Sequence, residues 1–213
     1  GEERMTDDYR DRLSSQTHNP LTSILKYKEL WLLGLAMFGG IAVENAFSVF
    51  WPTFAELNMG VDTRIIGLGM GLYMLSAAPA ELLVVYLPFF QKRRLTVIVV
   101  TGVVTILSHL ALLFISSSVS IVLISILRGL SISYFPVIVT LVYQLPNIKP
   151  REVAVGLAFI YTVMNGGAAI GPLIVGFIQE ATGDLRMSLL VTTFFPIMLL
   201  LSAVLMRSRM PRH

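Results

Sequence analysis

Apolar residues run along this chain in six long blocks separated by short polar breaks. The blocks fall near Leu30–Phe54, Ile65–Phe90, Leu95–Ile115, Val119–Leu145, Val153–Gln179 and Met187–Met206. The breaks are Glu56–Arg64, Gln91–Arg94, Ser116–Ser118, Pro146–Glu152 and Glu180–Arg186. About 20 helical residues, at a rise of ~1.5 Å each, cross a ~30 Å hydrocarbon core, so each block is long enough to span a bilayer. The pattern predicts an all-α membrane protein with six transmembrane helices. Residues 1–28 form a charged cytoplasmic linker of alternating sign with a turn at Asn19-Pro20, residues 29–206 the bundle, and residues 207–213 a polar tail.

The fifth block is the most informative. It holds Tyr161, Asn165, Gly166, Gly167, Gly171, Pro172 and Gly176 in an otherwise apolar run. A soluble helix would not tolerate this much glycine with an internal proline. A membrane helix does, because neighbours approach closely at small residues and satisfy freed backbone groups. Gly167 and Gly171 lie one turn apart and predict a packing seam. Tyr161 and Asn165, also one turn apart, put two polar groups on one face. In the second block Gly67, Gly71, Met74, Ala78 and Glu81 share a face, whose small members predict tight packing.

Composition agrees with lipid as the solvent. Hydrophobic residues make up 55% and charged residues 14%, with a mean hydropathy of +0.76; globular domains carry about 25% charged residues. The absence of cysteine excludes disulfides, thiolate catalysis and cysteine-ligated metal. No P-loop, HExxH or GxSxG motif occurs, and Gly67–Gly71 follows no strand, so no cofactor and no enzyme chemistry is indicated. The net charge is +3, but its placement matters more. Arg4, Arg10, Arg12, Lys26, Lys28, Lys92, Arg93, Arg94, Lys149, Arg151, Arg207, Arg209 and Arg212 fall on one side of a six-span topology. Only Arg64 and Arg186 fall on the other. Excess Lys and Arg mark cytoplasmic loops, so both termini are expected in the cytoplasm, with the plasma (inner) membrane as the location. The short basic loops are explained by topology and not by nucleic acid. Trp31, Trp51 and Phe54, at block ends, suit an aromatic belt.

Three ionisable residues lie inside blocks: Glu44, Glu81 and Arg128. A charge at the centre of a helix in lipid costs ~2.5–3.5 kcal/mol on insertion scales, so such groups face the bundle interior or a water-filled cavity. Counting ~1.5 Å per residue, each is expected roughly 12 to 20 Å from one end of its span, at a common depth. Glu44, beside Asn45, shares a face with Gly40, Ser48 and Trp51, a face able to line a cavity; it suits substrate contact, proton carriage or a structural carboxyl. Glu81 suits proton handling or an ion pair. Arg128 stays charged and needs an anion: Glu44, Glu81 or an anionic substrate. Tyr73 and Tyr134 are weaker candidates. His109, in the third block, reads as a buried or lipid-edge histidine bonded to a backbone carbonyl.

Four stretches carry a resemblance. They are Phe89-Phe90-Gln91-Lys92-Arg93-Arg94, Arg128-Gly129, Gly166 to Pro172 with Gly176, and Glu180 to Asp184. Together with the topology they resemble one half of a major facilitator superfamily transporter, the C-terminal half more than a half-sized dimeric transporter. The resemblance implies two inverted three-helix repeats, half of a twelve-helix fold, with an N-terminal six-helix half as partner. It implies secondary transport of a small solute by alternating access, coupled to protons or to exchange, with Arg128 in coupling and Lys92, Arg93 and Arg94 in gating. The candidate substrate and proton-coupling residues are Glu44, Asn45, Glu81, Arg128, Tyr161 and Asn165, with Glu44, Arg128 and Asn165 expected to line the cavity and Glu81 to support it. Gly167, Gly171, Pro172 and Gly176 are the candidate sliding contacts. The alternative is a membrane scaffold of the same fold whose polar residues form a closed, dry network.

Overall fold

The computed structural model describes residues 24, 26–146 and 148–208. Nearly all of the proposed linker, Asn19-Pro20 included, and Arg4, Arg10, Arg12, Arg209 and Arg212 lie outside the described residues. The described chain is helical, and no strand occurs among these residues. The helices are α1 (Lys28–Met59), α2 (Thr63–Tyr86), α3 (Pro88–Lys92), α4 (Arg94–Phe114), α5 (Ser118–Ser131), α6 (Tyr134–Val142), α7 (Pro150–Thr182), α8 (Leu185–Thr192) and α9 (Ile197–Arg207). They make six spans long and apolar enough to cross a membrane: α1, α2, α4, α5 with α6, α7, and α8 with α9.

Local chemistry explains the ends. The first and fifth spans both stop at a glycine in the left-handed region, Gly60 (φ 65°) and Gly183 (φ 70°), a conformation that a side chain disfavours. Each is followed by an aspartate that caps the next helix. The Asp62 carboxylate accepts from Arg64 N at 2.7 Å, and the Asp184 carboxylate accepts from Arg186 N at 2.8 Å. Glu56, expected in a loop, is instead in the last turn of α1 and accepts from the Thr63 hydroxyl at 3.0 Å. The fourth and sixth spans break at residues 132–133 and 193–196. Pro136 and Pro196 lack the N–H that the preceding turn needs, and their rings collide with the carbonyl four residues back.

The second span is shorter than expected. It ends at Tyr86, and Pro88 starts the separate turn of α3. Glu81 therefore sits only five residues from the helix end, about 8 Å at 1.5 Å per residue, and not at the common depth expected for it.

The first span packs chiefly on the fifth and on the sixth, the second on the fourth, and the third on the fourth and sixth. The first and fifth spans meet backbone to backbone at two glycines. A Cβ on Gly167 would stand against Phe38 O and 3.0 Å from Phe38 Cα; one on Gly171 would collide with Ala42 O and lie 2.8 Å from Ala42 C. The seam of Gly167 and Gly171 thus lies on the first span. Pro172 continues this helix without a break. Gly176 is different. Nothing lies within 4 Å of its Cβ position, so it is not a packing contact within the described bundle. The second span also departs from expectation. Gly67 and Gly71 face open space, and the tight contacts belong to Gly69, against Ser125, and to the backbone of Tyr73, against Gly129. Glycines occur on both faces of that helix, and the partner's own glycine selects the face that packs.

Replacing Gly171 by Leu is expected to lower the melting temperature in detergent strongly, since overpacking a close contact costs about 1–3 kcal/mol or more. Gly176→Ala, facing open space, is expected to leave melting unchanged or slightly raised. Equal loss in both variants contradicts the assigned contact face.

Candidate functional site

Two apolar clusters fill the bundle, one around Leu33, Met37, Ile138, Leu141 and Leu199, the other around Phe47, Trp51, Leu112, Ile121 and Leu189. A buried polar layer lies within the first, third, fourth and sixth spans. It contains Glu44, Thr105, Ser108, His109, Ser125, Arg128, Ser131, Thr192 and Thr193.

The centre of the layer is an ion pair. Arg128 Nε and Nη2 donate to Glu44 Oε2 at 2.9 and 2.7 Å, and Nη2 also reaches Glu44 O and Ser48 Oγ, each at 3.3 Å. Glu44 is 3% exposed and Arg128 1%, so the pair is dry. The guanidinium lies over the Tyr73 ring, 4.2 Å from its centroid, with the Phe47 ring at 5.9 Å. These rings cover the charge on its flat faces, where no hydrogen bond can be made. Arg128 therefore takes Glu44 as its anion. A Ser131 Oγ donor to Arg128 O at 2.7 Å, itself accepting from Thr105 Oγ1 at 2.9 Å, ties the third span to the same point.

His109 belongs to this group, although nothing in the hydropathy pattern places it there. It is fully buried, with its ring edge-on to Phe47 at 4.3 Å. The expected backbone bond is present: Nδ1 lies 2.7 Å from Thr105 O. A carbonyl carries no proton, so Nδ1 is the donor and Nε2 is the nitrogen left to gain or lose one. Nε2 stands 3.8 Å from Glu44 Oε1, and neither atom has a hydrogen-bond partner among the described residues. Two buried acceptors thus face each other with no donor between them. Only the third-span register, which the sequence pattern leaves open, reveals the contact.

The other candidates stand apart. Trp51 does not line a cavity or sit in a belt; it is buried and donates Nε1–H to Leu112 O at 3.0 Å, and Phe54 is buried too. Of the three aromatics only Trp31 is exposed. Asn45 Nδ2 donates to Ile41 O of its own helix at 3.1 Å. Tyr161 and Asn165 lie on the exposed side of the fifth span, the Tyr161 ring 6.1 Å from that of Phe135, so they do not join Glu44 and Arg128. Glu81 is partly buried and makes no hydrogen bond or ion pair among the described residues. Lys92 ends α3, Arg93 is the joint, and Arg94 opens α4, its Nε donating to Gln91 O at 3.2 Å. Tyr134 OH is buried without a partner among the described residues, against Gly40.

Below the first span, Glu152 Oε2 accepts from Tyr27 OH and from Lys149 N, each at 2.9 Å. Burial pushes the Tyr27 phenol above its ordinary value, and the Glu152 carboxylate adds to the shift, so Tyr27 remains a donor through neutral pH. This contact pins the start of the first span to the start of the fifth.

Removing one partner of a buried ion pair leaves an uncompensated charge, a cost of about 3–5 kcal/mol, whereas replacing both is close to neutral. Glu44→Gln and Arg128→Met are each expected to lower the melting temperature in detergent, and the double variant to recover most of the loss. Additive losses would show that the two side chains are not coupled. No family model matches this sequence, and no curated protein matches it.

Proposed function

We propose that the chain is a six-helix half of a secondary transporter of the major facilitator type, working by alternating access on a small solute with a proton as the coupling ion. The observation that carries this reading is the pair of unpartnered acceptors, Glu44 Oε1 and His109 Nε2, 3.8 Å apart beside Arg128. One added proton, on either atom, turns a repulsive contact into an attractive one. Its charge would change the balance of the whole dry layer. An ion that binds one conformation better than another shifts the equilibrium between them, which is what coupling requires.

The packing pattern supports the inverted repeat. Exchanging the first span with the fourth, the second with the fifth and the third with the sixth maps most of the main contacts onto one another, the exception being the fifth on the sixth, which has no comparable second-on-third contact. First-on-fifth becomes fourth-on-second, and first-on-sixth becomes fourth-on-third. The second and fifth spans bury the smallest share of their surface. Glu81, Tyr161 and Asn165 are on those spans, and a carboxyl left in lipid is costly. In this reading these faces meet water or the other six-helix half, and the basic ends with both termini face the cytoplasm.

A second reading is favoured by one observation. The Glu44–Arg128 pair is sealed from solvent, as the closed network of a non-transporting scaffold would be. The two differ in flux. A one-unit pH step supplies about 1.4 kcal/mol per coupled proton, enough for a tenfold accumulation. In vesicles from cells expressing the protein, challenged with labelled organic anions and zwitterions, the transport reading expects accumulation of that order. Glu44→Gln is expected to abolish the pH-driven part while solute exchange persists. A variant with an unchanged pH profile removes Glu44 as proton carrier; absence of flux for the whole panel, with no pH-dependent carboxyl band in infrared difference spectra, favours the scaffold.

A further inference from the structure

The joint between the second and third spans holds a groove of about 490 Å³ that the polar layer does not use. Its walls come from Leu83 of the second span, Phe89 of α3, Val97 and Val100 of the third span and Leu130 of the fourth, with Arg93 at the mouth. Phe89, Leu83, Val100 and Leu130 are all exposed, so the groove opens on the outside of the bundle.

Its chemistry is divided by depth. The deep end reaches Thr101 and Ser133. Both hydroxyls are spent on their own helices, Thr101 Oγ1 donating to Val97 O at 2.8 Å and Ser133 Oγ to Leu130 O at 2.9 Å. The wall there offers those groups' methyl and methylene surface and none of their donors. From Arg93 to Thr101 is eight residues, about 12 Å along a helix. The mouth is cationic. Lys92, Arg93 and Arg94 are consecutive, and no ion pair holds them among the described residues. The Arg93 guanidinium is propped over the Phe89 ring at 5.0 Å, and Arg94, which lines an adjoining cavity of about 140 Å³, has its Nη1 buried with no partner among the described residues.

We propose that this groove binds an anionic phospholipid from the leaflet that the basic loops face. An acyl chain fills the apolar slot, and the headgroup phosphate meets Arg93, with Lys92 and Arg94 adding charge. A free anion would find the cations but no use for the slot. A zwitterionic lipid would fill the slot but bring an ammonium to three cations. Basic pockets between spans are the general form of such sites, and one Lys or Arg near an anionic surface changes affinity roughly fivefold.

The test uses the purified protein in mild detergent, with native mass spectrometry and thermal melting. The probes are phosphatidylglycerol, phosphatidylcholine of the same chains, and glycerol phosphate alone. Phosphatidylglycerol is expected to be retained and to raise the melting temperature, the other two not. Arg93→Gln, at an exposed site that does not enter the core, is expected to reduce phosphatidylglycerol retention roughly fivefold without changing melting in lipid-free detergent. Val100→Trp, which fills the slot from its exposed rim, is expected to displace the lipid. Equal retention of both lipids, stabilisation by glycerol phosphate alone, or indifference to Arg93→Gln overturns the proposal.

Discussion

The bundle depends on one buried ion pair. Glu44 on the first span and Arg128 on the fourth would each be costly to place in lipid, and together they form a neutral unit with two short hydrogen bonds to one carboxylate oxygen. The pair fixes the relative depth of two helices that otherwise touch little. It also sets the position of the polar layer, because Ser48, Ser131 and Thr105 have to sit where the arginine needs acceptors or where its backbone needs a donor. The aromatic rings of Tyr73 and Phe47 close the remaining sides.

Close backbone contacts keep that layer dry. Gly129, one residue after the arginine, brings the fourth span onto the backbone of Tyr73, which is how the Tyr73 ring comes to lie on the guanidinium. Gly167 and Gly171 do the same between the fifth and first spans, on the turns at Phe38 and Ala42 just before Glu44. Apolar clusters above and below complete the seal. The two kinds of contact depend on each other, since the pair needs low exposure to be worth its hydrogen bonds, and the helices need the pair to hold register in a solvent that offers no hydrophobic drive between them.

Much of this was legible in the residues. Six apolar runs with short breaks give the spans to within a few residues, and a lone arginine in such a run requires an anion. Glu44 was among the candidates on that argument alone. The seam at Gly167 and Gly171 followed from spacing. What was not legible is what depends on register between helices. Glycines on two faces of the second span do not say which face packs, and the partner, Gly129, chose Gly69 over Gly67 and Gly71. Glu81 resembled Glu44 only in lying inside an apolar block; the break at Leu87-Pro88 places it near a helix end. Trp51 looked terminal because the apolar run fades after Phe54, yet capping at Gly60 carries the helix five residues further, to Met59, and leaves the indole inside. His109 carries no pattern of its own, and its nearness to Glu44 arises from the rotation of the third span.

The two broken spans bear on how such a layer can be built at all. Irregular backbone at membrane depth is tolerated only where protein or a cavity covers it, because freed carbonyls have no water to turn to. Both breaks meet that condition. Ser131 and Ser133 beside the first, and Thr192 and Thr193 beside the second, are all buried. Their hydroxyls take up the nearby carbonyls: Ser131 reaches Arg128 O at 2.7 Å, Ser133 reaches Leu130 O at 2.9 Å, and Thr192 and Thr193 both reach Leu189 O at 2.9 Å. The serines and threonines of the layer thus do two things at once. They bond carbonyls in the turns beside the breaks, while Ile132 O and Thr192 O, four residues before Pro136 and Pro196, accept from Phe135 N and Phe195 N at 3.0 Å each, and they supply the polar surround in which a buried glutamate and arginine can persist. A helix that ends and restarts next to its own charged residue is also freer to change direction there than an unbroken one. The polar layer is therefore the place where this bundle is held most firmly by side chains and least firmly by its own helices.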